Sequence, residues 1–114
     1  IAAEGYVRSG DDGLAQKYLN DLIKKRIQPE FYDQVTLIGD DLLEAILLER
    51  KKELIGRGIR WSDLRRLNQE VGYSTEIRRT IAGEELVISP TSPKYVFPIP
   101  MEEIQRSGIR QNPR

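Results

Sequence analysis

A mainly α fold is predicted, with a short β-hairpin and an irregular, proline-rich C-terminal strap. Three observations predict it. Apolar residues recur at three- and four-residue spacing in successive segments as far as Asn68, which is the period of amphipathic helices. Beyond Asn68 that period disappears, and two short runs flank Ala82-Gly83-Glu84, the pattern of a hairpin. Pro90, Pro93, Pro98 and Pro100 then follow within eleven residues, each fixing φ and removing a backbone donor.

The elements follow in chain order. Residues 1–8 read as the second half of a helix. Ser9-Gly10-Asp11-Asp12-Gly13 breaks it: Gly10 can adopt the left-handed conformation that ends helices, and Asp11 or Asp12 can cap the next one. That helix runs from Leu14 to about Ile27, with Ala15, Leu19, Leu22, Ile23 and Ile27 on one face. Lys24, Lys25 and Arg26 lie in its last turn, where cations suit the helix dipole. Residues 28–39 are a linker around Pro29, with Phe31, Tyr32, Val35 and Leu37 expected to tuck against the helices. Asp40 or Asp41 is expected to cap a third helix, Asp41 with Glu44 having capping-box spacing. This helix extends to about Ile55 and stops at Gly56 or Gly58. Leu42, Leu43, Ala45, Ile46, Leu47 and Leu48 make its first half apolar almost all round, which predicts contacts on more than one side. Arg60 to about Asn68 reads as a short fourth helix or turn. Glu76–Ile81 and Glu85–Ile88 form the hairpin around Ala82-Gly83-Glu84, Lys94–Phe97 is extended, and Pro100 begins one helical turn over Met101–Arg106.

Organisation follows from these elements: a helical hairpin over residues 1–27, a charged helix and turn over 40–68, and a β-hairpin with the strap over 76–114. The first pair has tetratricopeptide-like spacing, namely Tyr6, Gly10, Ala15, Leu19 and Leu22. Leu19 stands where an aromatic is usual, and Leu22 where Ala is usual. Such units bury their core by stacking on neighbours. The chain starts with Ile1 inside a helix, so it is expected to be a piece of a longer protein.

Composition excludes several chemistries. With 18 basic and 18 acidic residues the formal net charge is +0, so no global field favours nucleic acid. There is no Cys and no His, which removes disulfides, thiolate nucleophiles, imidazole bases and the usual zinc sites. No cofactor is implied. No apolar run approaches the ~20 residues that span a bilayer.

The chemistry-bearing residues concentrate in two stretches. In the first, Arg50 falls in the middle of the apolar stripe Leu43, Ile46, Leu47 and Leu54. A guanidinium there needs partners, and Asp63 is the first candidate, a backbone carbonyl the next. Glu53 and Arg57 have the favourable four-residue spacing. Trp61, the only Trp, reads as a core anchor ahead of a sugar-stacking platform. Arg60, Arg65 and Arg66 flank it. In the second stretch, Pro98 and Pro100 stiffen the backbone around Ile99, and Tyr95, Phe97, Ile99 and Ile104 supply anchors for a strap closing over the helical layer.

Glu49, Arg50, Glu53, Leu54, Gly58, Arg60, Asp63, Leu64 and Arg66, followed by Pro98, Ile99, Pro100, Glu103 and Ile104 and then Gln111, Asn112 and Pro113, together resemble the C-terminal segment of the SusD/RagB family. Arg57 replaces the acidic residue usual before the glycine, and Ser62 an aromatic often found before the aspartate. The resemblance implies an outer-membrane, surface-exposed lipoprotein that binds oligosaccharide and caps a SusC-like TonB-dependent transporter. It implies a binding protein and not an enzyme, held to the membrane only through a lipid anchor this chain lacks. The matching residues are scaffold residues, with Arg50, Glu53, Arg60, Trp61, Asp63, Pro98 and Pro100 as the structural set. The glycan-binding residues are expected upstream.

Two other readings compete. A tetratricopeptide-type peptide-binding adaptor rests on the Tyr6-to-Leu22 spacing alone and does not predict the strap. A glycosidase would need two carboxyls facing across a cleft, roughly 5–10 Å apart. The pairs Asp40/Asp41, Glu49/Glu53, Glu84/Glu85 and Glu102/Glu103 are neighbours better explained as caps and solvated charges.

Overall fold

The computed structural model describes residues 1–114. They form two compact units, residues 1–57 and 58–114, each with its own small core.

In the first unit, α1 (Ala2–Arg8) leads into α2 (Asp12–Lys24). Gly10 takes φ +84°, and the Asp11 carboxylate accepts from the Leu14 N–H at 3.0 Å, so Asp11 is the cap. The helix stops three residues before Ile27, which is exposed. Pro29 accounts for this early stop: it holds the preceding Gln28 in an extended conformation. A single 3-10 turn (Pro29–Phe31) then sends the chain back toward the start of α3 (Gly39–Glu53).

α2 and α3 run parallel. Asp12 and Gly39 meet at their starts, and Arg26, just past the end of α2, meets Glu49 and Glu53 of α3. α1 packs antiparallel to both. Val7, Ala15, Leu19, Leu42, Leu43 and Ile46 fill the core, with Leu42 wholly buried. Tyr6 stacks on Tyr18 with ring centroids 5.4 Å apart.

Three expectations need correction here. Phe31 and Leu37 are 71% and 43% exposed, not tucked in. Polar bonds hold the returning segment instead. The buried Asn20 donates to the Val35 carbonyl and accepts from both the Val35 N–H and the Tyr32 hydroxyl, all within 2.9 Å. Gln16 donates to the Leu37 carbonyl.

The cap of α3 is neither Asp40 nor Asp41, which lie in its first turn. Asp12 of α2 reaches across, and its carboxylate accepts from the Gly39 N–H at 3.0 Å. Asp12→Ala is therefore expected to cost about 1 kcal/mol, while Asp41→Ala stays within about 0.5 kcal/mol. Urea unfolding of the two variants checks this, and equal effects would return the cap to Asp41. As expected, α3 packs on more than one side, against both α1 and α2, while Leu48 is half exposed. Finally, the helix ends at Glu53, so Arg57 is not on its i+4 surface. Glu53 pairs with Arg26 instead. Gly56 and Gly58 follow with φ +75° and +72°.

The second unit contains α4 (Arg60–Leu67), β1 (Ile77–Ile81), β2 (Glu84–Ile88), a 3-10 turn (Pro93–Tyr95) and α5 (Met101–Ser107). Leu64, Leu67 and Tyr95 are its buried apolar residues. β1 and β2 are antiparallel, with Ile81 opposite Glu84. Glu84 therefore belongs to the strand, and the turn is the two residues Ala82-Gly83. Both have positive φ, +52° and +85°, as the favoured two-residue hairpin turn requires.

A non-glycine residue pays for that conformation. Ala82→Gly is expected to remove about 1 kcal/mol of strain, read as slower amide exchange along β1 and β2; unchanged exchange would contradict it. On the exposed face Arg78 bonds Glu85 at 3.1 Å and Glu76 at 2.6 Å. Its guanidinium is held above its usual range, first by the Glu85 hydrogen bond and then by Glu76.

Lys94 and Tyr95 are not extended as expected. The Ser92 hydroxyl accepts from the Lys94 N–H and opens the 3-10 turn. α5 extends over seven residues, beyond the single turn expected, and Gly108 ends it in the left-handed conformation at φ +69°.

Candidate functional site

Trp61 and the proline strap form the most organised constellation in the second unit. α4 places Trp61 in its first turn, and the 3-10 turn brings Tyr95 back onto it. The indole N–H donates to the Tyr95 carbonyl at 3.0 Å, which satisfies the ring's only donor. The Trp61 ring lies 4.9 Å from Tyr95 and 5.6 Å from Phe97, centroid to centroid. Both are within the range of favourable aromatic pairs. Trp61 is half-buried and Tyr95 is buried, while Phe97 remains 69% exposed.

The strap is closed by the chain end. Pro98 and Pro100 have no N–H, so Ile99 supplies the one donor between them. Gln111 takes both polar groups of Ile99. Its carbonyl oxygen accepts from the Ile99 N–H at 2.8 Å, and its amide donates to the Ile99 carbonyl at 2.9 Å. Asn112 donates to the Phe97 carbonyl at 2.8 Å, and Arg114 to the Val96 carbonyl at 3.2 Å. Side chains thus do for this segment what a neighbouring strand's backbone does in a sheet. The sequence signal was the Pro-Ile-Pro and Gln-Asn-Pro pair; its mechanism was not visible without the geometry.

Two polar atoms of this unit are buried without a hydrogen-bond partner: the Tyr95 hydroxyl and the Asn68 side-chain nitrogen. An unsatisfied buried hydroxyl costs about 1–3 kcal/mol. Tyr95→Phe is therefore expected to leave stability unchanged or raise it, measured by urea unfolding. A loss above about 1 kcal/mol would mean that the hydroxyl is satisfied.

The other structural residues are placed as follows. Arg60 is exposed at the first position of α4, and Pro98 and Pro100 are exposed in the strap. Asp63 is buried, with Arg66 at 3.7 Å. Arg50 is half-buried on α3, beside a groove between α1, α2 and α3. Glu49 and Glu53 share Arg26, and Glu49 also binds Lys52. Arg26 and Asn20 are the organising residues that sequence reasoning missed. Asn20 sits within the apolar helix period, where a polar residue reads as surface. No group of three or more acidic residues is placed to hold a metal ion.

The groove in the first unit has a volume of about 390 Å³. It is lined mainly by Ala2, Ala3, Tyr18, Leu22, Ile46 and Leu54, with Glu49 and Glu53 along its rim.

Among protein-family models, the one described as the SusD family matches residues 1–114, the whole chain. No curated protein and no solved structure matches.

Proposed function

The chain belongs to the SusD family, and from that premise we propose that it is the C-terminal scaffold portion of a cell-surface glycan-binding lipoprotein. In this reading the longer protein delivers oligosaccharide to a SusC-like, TonB-dependent transporter of the outer membrane. Family membership ties the chain to carbohydrate binding and nutrient uptake, and to binding proteins rather than enzymes. The observation that carries the reading is the extent of the match, which takes in the charged helix, the strap and the terminal Gln-Asn-Pro.

The geometry supports a scaffold role. Trp61 commits its N–H to Tyr95 and its ring to Tyr95 and Phe97. Gln111 and Asn112 are spent on the strap backbone. Little of this polar chemistry is left for a sugar. No helix is long and apolar enough to cross a membrane. The reading assigns attachment to a lipid anchor outside residues 1–114.

Isothermal titration of the longer protein against an oligosaccharide panel tests the function. Saturable binding of at least one oligosaccharide is expected, with none by residues 1–114 alone. Equal binding by residues 1–114 would overturn the scaffold role, and no binding by the longer protein would overturn the glycan-binding role.

A further inference from the structure

We propose that the β1–β2 hairpin is a contact surface between copies of this chain, in which the outer edge of β1 pairs with the outer edge of β2 from the next copy.

Both edges are open. β1 and β2 pair only with each other, and no backbone group of residues 77–88 bonds to any other part of the chain. Among the strand residues only Ile77 and Ile88, at the base of the hairpin, are half-buried, and the rest are exposed. Ile81 and Leu86 are 58% and 51% exposed. A free edge of this kind is a template for another strand. Neither strand carries a proline, a lysine or a bulge to blunt it.

Charge selects the occupant. β1 carries Arg78 and Arg79, and β2 carries Glu84 and Glu85. Arg78 is already engaged with Glu76 and Glu85, whereas Arg79 and Glu84 have no ion pair within the chain. Two-fold pairing of β1 with β1, or of β2 with β2, sets like charges side by side, which destabilises a sheet. Pairing β1 with the partner's β2 sets opposite charges together.

The register fits as well. Inside the hairpin Arg79 lies opposite Leu86, and Ile77 opposite Ile88. A slip of two residues between copies keeps every side chain on its own face. It places Arg79 opposite the partner's Glu84 and Ile77 opposite the partner's Leu86. Such a contact joins unlike surfaces, so it does not close at a dimer. Each assembly keeps a free β1 edge at one end and a free β2 edge at the other.

Sedimentation velocity of the full chain at rising concentration tests this. The sedimentation coefficient is expected to climb without a plateau at the dimer. Arg79→Glu puts an acid against the partner's Glu84, and Glu84→Arg puts a cation against the partner's Arg79. Each variant alone is expected to associate about tenfold or more weakly than the unaltered chain. Mixed in equal amounts, the two restore an opposite pair at every contact, and association should return. That recovery also shows that both variants fold, since neither touches the hairpin's own pair of Arg78 and Glu85.

A chain that stays monomeric or stops at a dimer would overturn the proposal. So would single variants that associate as well as the unaltered chain, or a mixture that associates no better than its components. None of these readouts involves sugar, so the contact and the glycan-binding reading can fail separately.

Discussion

Replacing Trp61 by Ala is expected to destabilise the second unit by about 3–5 kcal/mol. Three losses add up. The indole N–H bond to Tyr95 disappears, the rings of Tyr95 and Phe97 lose the surface they pack on, and a cavity opens where a large side chain stood. The unit has only a few buried apolar residues, Leu64, Leu67 and Tyr95 among them, so it has little capacity to compensate. Trp61→Phe separates the contributions. It retains a ring but lacks the donor, and the unpaired Tyr95 carbonyl should cost about 1 kcal/mol. Because Trp61 is the only Trp, the measurement is urea unfolding followed by circular dichroism. A loss below about 1 kcal/mol for Trp61→Ala would mean that the residue is a surface platform and not an anchor.

Asn20→Ala is the second large effect, expected at about 2–4 kcal/mol. Asn20 is buried and uses its amide nitrogen and oxygen for three bonds, two to the backbone of Val35 and one to the Tyr32 hydroxyl. Truncation strands all three groups in partly buried positions. The return segment between α2 and α3 then keeps only Gln16 and Asp12 near Leu37 and Gly39 and the Lys24 ammonium over the Tyr32 ring as attachments to α2. Amide exchange reports this locally, since the Val35 N–H should lose its protection in the variant. A Val35 amide that stays protected would show that packing, and not Asn20, holds the segment.

Much of the fold was legible because its signals are local. The break at Gly10, the α4 helix over Arg60–Leu67 and the β-hairpin all follow from spacing and turn chemistry. The errors share a different cause. Asp41 looked like a cap because capping boxes are read along one helix, whereas Asp12 caps α3 from another helix, 27 residues earlier in sequence. Phe31 and Leu37 looked like anchors because they are apolar, yet the segment is held by the amides of Asn20 and Gln16. Glu53 was assigned to Arg57 by helical spacing, but the helix ends first and Arg26 reaches it. At the candidate site the sequence singled out Trp61 and Pro98, and the structure places Trp61 half-buried against Tyr95 and Phe97 and Pro98 exposed in the strap. The match between Gln111 and Ile99 was not legible, because it joins residues twelve positions apart with no periodic pattern between them.

That match bears on how the chain behaves when crowded. Extended segments are hazards because unpaired backbone groups can recruit a strand from another molecule. Across Pro98-Ile99-Pro100 one N–H remains, and an amide side chain of the same molecule already occupies it. The strap therefore offers an incoming strand no ladder to extend. The exposed hairpin of β1 and β2 has no such cover on its outer edges, which makes it the segment from which intermolecular sheet growth would start.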